Sequence, residues 1–171
     1  TPPPPGEVFW PGVEIGKPVG PALHRIMEMI EPGAGPHERE SLVRSMSGAM
    51  GVADRQEQLL HMVNNVLSSD LWERAVRSSF SSREVPFCVK DNASYMAGKV
   101  DLVFAEEDGA VIVDYKADNV AADETESRLD FYREQGEFYR NALGLVLGRP
   151  VKDVVFFFAA PGVALSLTSS R

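Results

Sequence analysis

Two apolar stretches on either side of a short polar turn decide the fold: Tyr95–Ala105 (YMAGKVDLVFA) and Ala110–Lys116 (AVIVDYK). Both stretches are rich in Val, which favours β-strands, and the turn between them, Glu106–Gly109, is polar and ends in glycine. This pattern predicts a β-hairpin.

Asp101, Asp114 and Lys116 are three charged residues that interrupt the apolar pattern of this hairpin. If a four-residue turn closes the hairpin, Asp101 faces Asp114 directly. A two-residue turn at Asp108-Gly109 shifts the register and places Asp101 opposite Lys116 instead. Because side chains alternate along a strand, both registers predict that the three charged side chains share one face.

Facing carboxylates have β-carbons about 4.5–5.5 Å apart and destabilise a sheet unless a cation lies between them. The apolar neighbours also predict a buried sheet, in which an unpaired carboxylate is costly to ionise. A divalent cation beside Lys116 removes both difficulties. The alternative is that Asp101 and Asp114 lie near solvent at strand ends, with Lys116 in an ordinary salt bridge. Gly98, which permits close backbone approach, and the apolar flanks favour a site.

The chain before the hairpin shows mainly helical periodicity, and the chain after it alternates between helix and strand. The predicted helices are Gly20–Ile30, His37–Gly51, Asp54–Leu67, Asp70–Arg77 and Leu129–Leu147, with a polar loop at Asp118–Arg128. The further predicted strands are Arg83–Val89, Val151–Ala160 and Val163–Leu167. Pro86 indicates that the first of these strands is an edge strand or carries a bulge.

These elements predict an α/β (α+β) fold in which a central mixed β-sheet of about five strands is flanked by helices, with an N-terminal helical region. Residues 1–19 contain a Pro-rich run typical of a linker, here expected to connect to a missing N-terminal region. Residues 20–171 are expected to form one domain.

Composition excludes several classes of protein. The chain has 17 Lys and Arg against 25 Asp and Glu, a formal charge of −8, which argues against a polybasic nucleic-acid binder. Its one cysteine, Cys88, is interpreted as a small core residue and cannot by itself form an internal disulfide or a Cys-rich metal site. Any metal is therefore expected to take oxygen and imidazole ligands. The sequence has neither a long apolar run nor a signal-peptide pattern, which predicts a soluble, intracellular protein.

Four motifs in order resemble the PD-(D/E)xK nucleases, in particular the RecB-like domain at the C-terminus of RecB and AddA helicase–nucleases. They are Gly20-Pro21-Ala22-Leu23-His24, the strand Arg83–Phe87 with Glu84, Gly98-x-Val100-Asp101 followed by Asp114-Tyr115-Lys116, and Tyr132-x-x-Gln135-x-x-x-Tyr139. Pro21, Val100 and Ala117 depart from the family's usual residues, but none of them replaces a ligand or the lysine.

The resemblance implies a restriction-endonuclease-like core and a Mg²⁺ site, with Mn²⁺ as a substitute, formed by His24, Asp101, Asp114 and the Tyr115 carbonyl. It implies catalytic roles for Lys116, Asp114, Asp101, Glu84, Gln135 and Tyr139. Glu84 is equally well explained as an exposed strand residue. The cysteines that hold an iron–sulfur cluster in some relatives are absent, so we expect no such cluster.

The function implied by the resemblance is metal-dependent hydrolysis of DNA phosphodiester bonds, as exonuclease or endonuclease, in double-strand-break repair and recombination. The implied partners are DNA with single-stranded or unwound ends, a UvrD/Rep-type helicase domain of the same chain and an AddB-like second subunit. The implied location is the bacterial cytoplasm, near the nucleoid. Two alternatives remain: a catalytically silent nuclease fold that binds DNA or a partner, and a stand-alone restriction or junction-resolving endonuclease.

Overall fold

The computed structural model describes residues 19–167 and has a mixed five-stranded sheet with helices on both faces. The helices are α1 (Val19–Met29), α2 (Pro36–Ala49), α3 (Gln56–Leu67), α4 (Asp70–Arg77) and α5 (Thr125–Leu147). The strands are β1 (Ser81–Asp91), β2 (Ser94–Glu106), β3 (Gly109–Lys116), β4 (Val151–Phe158) and β5 (Val163–Ser166). The predicted fold class is confirmed. The predicted linker lies outside the described residues, except that Val19 already begins α1.

The sheet order is β1-β2-β3-β4-β5, with β3 and β4 parallel and the other neighbours antiparallel. The hairpin has the first of the two predicted registers, since Leu102 pairs with Val113 and Glu106 with Gly109. β1 is an edge strand, as the proline at position 86 indicated. Within residues 19–167, no helix combines the length and the apolar character that crossing a membrane requires.

Apolar faces of the helices cover both sides of the sheet. Helices α1 to α4 pack on one side, where Leu23 and Ile26 join Leu102 and Val113 in a buried cluster. Helix α5 packs on the other side through a second cluster that includes Val100, Val103 and Tyr139. The sheet is therefore covered on both faces along its centre, as its almost wholly apolar β4 requires.

Two predictions were wrong. The segment 125–128 is helical, because α5 begins at Thr125 after a short 3₁₀ turn in which the Glu124 carboxylate accepts the Ala121 N–H at 3.0 Å. The segment is polar because most of it is exposed to solvent, although it is helical. Cys88 is exposed and not a core residue, since it alternates with buried Phe87 on an edge strand whose other face is uncovered.

Candidate active site

The two hairpin aspartates lie where β2 and β3 separate. The last pair of the ladder is Leu102 with Val113, one residue before Asp101 and Asp114. Asp101 turns toward α1, where its Oδ1 lies 2.5 Å from His24 Nδ1, and its Oδ2 accepts the Tyr115 N–H at 2.7 Å. Asp114 instead turns toward α5.

The prediction that Asp101 shares one face of the hairpin with Asp114 and Lys116 is therefore wrong. Val100 packs on the α5 side, but Leu102 packs on the α1 side, so the alternation of side chains breaks at Asp101. On β1, Glu84 lies between the Arg83–Leu102 and Val85–Val100 pairs and has a φ of 50°, which is unusual for a non-glycine residue. This local break directs the two aspartates into the gap between the strands.

His24, Asp101 and Asp114 converge there. One ligand atom of each lies within 4.8 Å of the others. Two carboxylates and one imidazole form a donor set that suits a divalent cation such as Mg²⁺ or Mn²⁺. The residues present thus fit the cation that the sequence predicted.

Two groups hold the same carboxylate oxygen of Asp114. Lys116 Nζ lies 3.2 Å from Asp114 Oδ2, and the Tyr139 hydroxyl donates to the same oxygen at 3.1 Å. Burial raises the pKa of Asp114, and the neighbouring Asp101 raises it further, although Lys116 opposes both effects. A bound cation would stabilise the ionised form of this carboxylate.

Gln135 connects the lysine to the tyrosine. Lys116 Nζ donates to Gln135 Oε1 at 3.0 Å, and Gln135 Nε2 donates to the Tyr139 hydroxyl oxygen at 2.8 Å. Because the two α5 residues are four positions apart, they lie on one helical face. The structure thus brings both predicted α5 residues to the site.

His24 carries the positive charge nearest to Asp101. Loss of hydration lowers the pKa of the imidazole, but the adjacent Asp101 outweighs this effect and raises the pKa of His24 to about 9. The pKa of Asp101 is correspondingly lowered: burial opposes the charged form, but His24 and the Tyr115 N–H favour it more strongly. Each aspartate therefore has its own cationic neighbour, His24 for Asp101 and Lys116 for Asp114.

Two predicted residues have different contacts from those expected. Glu84 lies outside the cluster of His24, Asp101 and Asp114, and its carboxylate forms an ion pair with Lys99. Tyr115 acts on the site through its backbone N–H, which binds Asp101. A role for the Tyr115 carbonyl stays a prediction.

Sequence reasoning missed the residues that support Lys116. The Tyr132 ring lies 4.1 Å from Lys116 Nζ, and its hydroxyl donates to Asp118 at 2.9 Å. Arg128 Nε binds the same carboxylate at 2.5 Å. The available signal was spacing, since Tyr132 precedes Gln135 by three residues and so shares its helical face.

A second missed residue, Arg83, fixes the helix that carries His24. Its guanidinium donates to the carbonyls of Glu28 at 3.1 Å and Ile30 at 2.5 Å, at the C-terminal end of α1. It also lies 5.2 Å from the centre of the Trp72 ring, a cation–π contact. A cation at this end of a helix also complements the helix dipole.

The family model of the PD-(D/E)XK nuclease superfamily matches residues 11–166. The chain therefore belongs to this superfamily, and its sheet, hairpin and converging carboxylates are consistent with that membership.

Its curated relatives include subunits A of ATP-dependent helicase/nucleases. The chain is 30% identical to the subunit of Acetivibrio thermocellus over 78% of its own length, and 29% identical to that of Carboxydothermus hydrogenoformans over 89%. It is also 30% identical to the subunit of Desulforudis audaxviator over 77%. The chain spans 12%, 15% and 11% of these relatives' lengths.

Proposed function

We propose that this chain is a divalent-metal-dependent DNA nuclease domain that hydrolyses phosphodiester bonds. The observation that carries the proposal is the convergence of His24, Asp101 and Asp114 within 4.8 Å, with Lys116 Nζ 3.2 Å from Asp114. Superfamily membership supports the same reaction class.

The proposed roles follow from the contacts of each side chain. His24, Asp101 and Asp114 hold Mg²⁺, or Mn²⁺ in its place, and the Tyr115 carbonyl is a further candidate ligand. When bound, the cation supplies Lewis acidity and neutralises charge on the phosphate. Lys116 donates a hydrogen bond to the attacking water or to a phosphate oxygen, because Asp114 and Gln135 hold its ammonium group at the rim of the cluster.

The residues of α5 act by positioning. Gln135 fixes Lys116, and Tyr139 fixes Asp114, through the hydrogen bonds described above. Glu84 is proposed to accept a hydrogen bond from a water of the site or to contact a second ion. Its carboxylate lies outside the cluster of His24, Asp101 and Asp114 and forms an ion pair with Lys99.

The relatives provide the proposed cellular setting. Because they are helicase/nuclease subunits far longer than this chain, we infer that a UvrD/Rep-type helicase domain of the same polypeptide delivers DNA ends to the nuclease. An AddB-like second subunit, a role in double-strand-break repair and recombination, and a location in the bacterial cytoplasm near the nucleoid belong to the same proposal.

The test is cleavage of end-labelled linear single-stranded DNA in Mg²⁺, Mn²⁺ or EDTA. Asp114→Asn is compared with Asp153→Asn, a control that alters a buried aspartate of β4 paired with Ser166. We expect cleavage by the wild type and the control in either metal, but not by Asp114→Asn or in EDTA. Absence of cleavage with any metal, in this chain and in a full-length helicase–nuclease containing it, would show a catalytically silent fold.

A further inference from the structure

Strands β1 and β2 continue together beyond the point where β3 stops pairing. β3 pairs with β2 over residues 102–106, whereas β1 pairs with β2 as far as Asp91 with Ser94. The described residues 86–99 of this hairpin, here called the β1–β2 arm, thus extend past the candidate active site.

The two faces of the arm differ. One face packs on α5, where the ring of Phe87 lies 5.7 Å from that of Phe138 and 6.0 Å from that of Tyr139. The other face is exposed along its whole length, and its aromatic residue, Tyr95, is 74% exposed. The residues of this exposed face are Pro86, Cys88, Lys90, Tyr95, Ala97 and Lys99.

The exposed face leads directly to the candidate site. It lies on the α1 side of the sheet, the side on which Asp101 contacts His24. Lys99 precedes Asp101 by two residues, and Lys90 is the cross-strand partner of Tyr95. Asp101 follows Tyr95 by six positions along an extended strand, a distance of about 20 Å.

We propose that the exposed face of the β1–β2 arm binds a single strand of the nucleic-acid substrate and guides it to the active site. An unpaired base stacks on Tyr95, and Lys90 contacts a backbone phosphate. Lys99 forms an ion pair with Glu84, but its side chain is 51% exposed and contacts a second phosphate. The inference rests on the proposed nuclease function. A chain of charge −8 does not attract a polyanion as a whole, so the exposed lysines and the Tyr95 ring of this face supply the local attraction.

A single strand fits this surface better than a duplex does. The faces of paired bases are stacked on one another and cannot lie on an exposed ring, whereas unpaired bases stack on aromatic side chains regardless of sequence. The arm is therefore expected to bind an unpaired strand in preference to a duplex.

Cys88 provides a direct test, because it is the single cysteine of the chain and lies on this face. The rate of its alkylation by N-ethylmaleimide is measured in the presence of Ca²⁺. An oligothymidylate of about twelve nucleotides is compared with a blunt duplex of about twelve base pairs. We expect the oligothymidylate to slow alkylation at least fivefold and the duplex to have little effect. Binding is measured in parallel by fluorescence anisotropy.

Tyr95→Ala should raise the dissociation constant of the oligothymidylate about fivefold or more, whereas Tyr95→Phe, which retains a ring, should not. Phe80→Ala, which alters an exposed aromatic residue just before β1, is the matched control and should also bind normally. Unchanged alkylation of Cys88 with saturating oligothymidylate, no binding, or unchanged affinity of Tyr95→Ala would each overturn the proposal. These readouts need no cleavage, so an arm that binds DNA in a chain that does not cut would contradict only the proposed nuclease function.

Discussion

The ammonium group of Lys116 lies 4.1 Å from the centre of the Tyr132 ring. The ring contacts the ammonium group beside its Asp114 and Gln135 partners, and 13% of the lysine side chain is exposed. Tyr132 is fixed in turn by Asp118, which also binds Arg128. The position of the lysine is thus determined by residues from both β3 and α5.

Replacing Lys116 should separate metal binding from turnover. Lys116→Gln removes the charge but none of the three expected metal ligands, so we expect metal affinity to stay within a few-fold of the wild type. Cleavage should fall about a hundredfold or more, because a positioned proton-transfer or charge-stabilising group is lost. Titration calorimetry with Mn²⁺ and a cleavage assay measure the two quantities, and near-normal cleavage would remove the lysine from the mechanism.

The Tyr132 ring should matter more than its hydroxyl. Tyr132→Phe keeps the cation–π contact with Lys116, whereas Tyr132→Leu loses a contact worth about 0.5–2 kcal/mol. We expect the leucine variant to cut about tenfold more slowly with unchanged metal affinity, and the phenylalanine variant to stay within about twofold of the wild type. Both are assayed well below their melting temperatures, since Tyr132 also packs on Phe156. Equal rates for the two variants would contradict the role of the ring.

Removing one of the two close carboxylates should stabilise the metal-free protein. Asp114→Asn removes the repulsion between Asp114 and Asp101, worth about 0.2–1 kcal/mol, so its melting temperature without metal should rise by about 1–4 °C. The variant should also lose the stabilisation that Mg²⁺ gives the wild type, about 2.7 kcal/mol at a hundred times the dissociation constant.

Differential scanning calorimetry with and without Mg²⁺ measures both effects, with Asp153→Asn as the control. A lower melting temperature for metal-free Asp114→Asn would show that the lysine and tyrosine contacts of this carboxylate outweigh the repulsion. The expected net repulsion between Asp114 and Asp101 would then be wrong.

A separate ion cluster should control stability in acid. Hydrogen bonds from Arg74 and Lys152 lower the pKa of Glu106 from 4.5 to about 2. Because this folded-state pKa is below the unfolded value, the stabilisation is complete above about pH 4.5 and is lost as the pH falls toward 2. Glu106→Gln should therefore melt below the wild type at pH 7, and the difference should shrink between pH 5 and pH 2. A difference that is constant across this range would contradict the assignment.

The sequence predicted those elements that depend on neighbouring residues along the chain. The apolar runs around Glu106–Gly109 predicted the hairpin and limited its register to two alternatives, of which the structure has the first. Periodicity predicted the helices on either side. The start of α5 was missed because its first turn is polar on a solvated surface. The exposure of Cys88 was missed because alternation along a strand does not reveal which face the tertiary structure covers.

For the site, the sequence named the residues that now lie together, but not their geometry. Asp101 and Asp114 were expected on one face, whereas the break in alternation at Asp101 directs one to α1 and the other to α5. The contact of Lys116 with Tyr132 depends on how α5 crosses the sheet. Such packing is set by long-range contacts that a motif does not contain.

The proposed nuclease depends on a divalent cation held by His24, Asp101 and Asp114. This cation can be located in a crystal of the chain soaked in Mn²⁺, with diffraction data collected at the manganese absorption edge. We expect an anomalous difference peak between these three side chains, absent from crystals of Asp114→Asn treated in the same way. A wild-type crystal without a peak there, at a Mn²⁺ concentration that supports cleavage, would contradict this expectation.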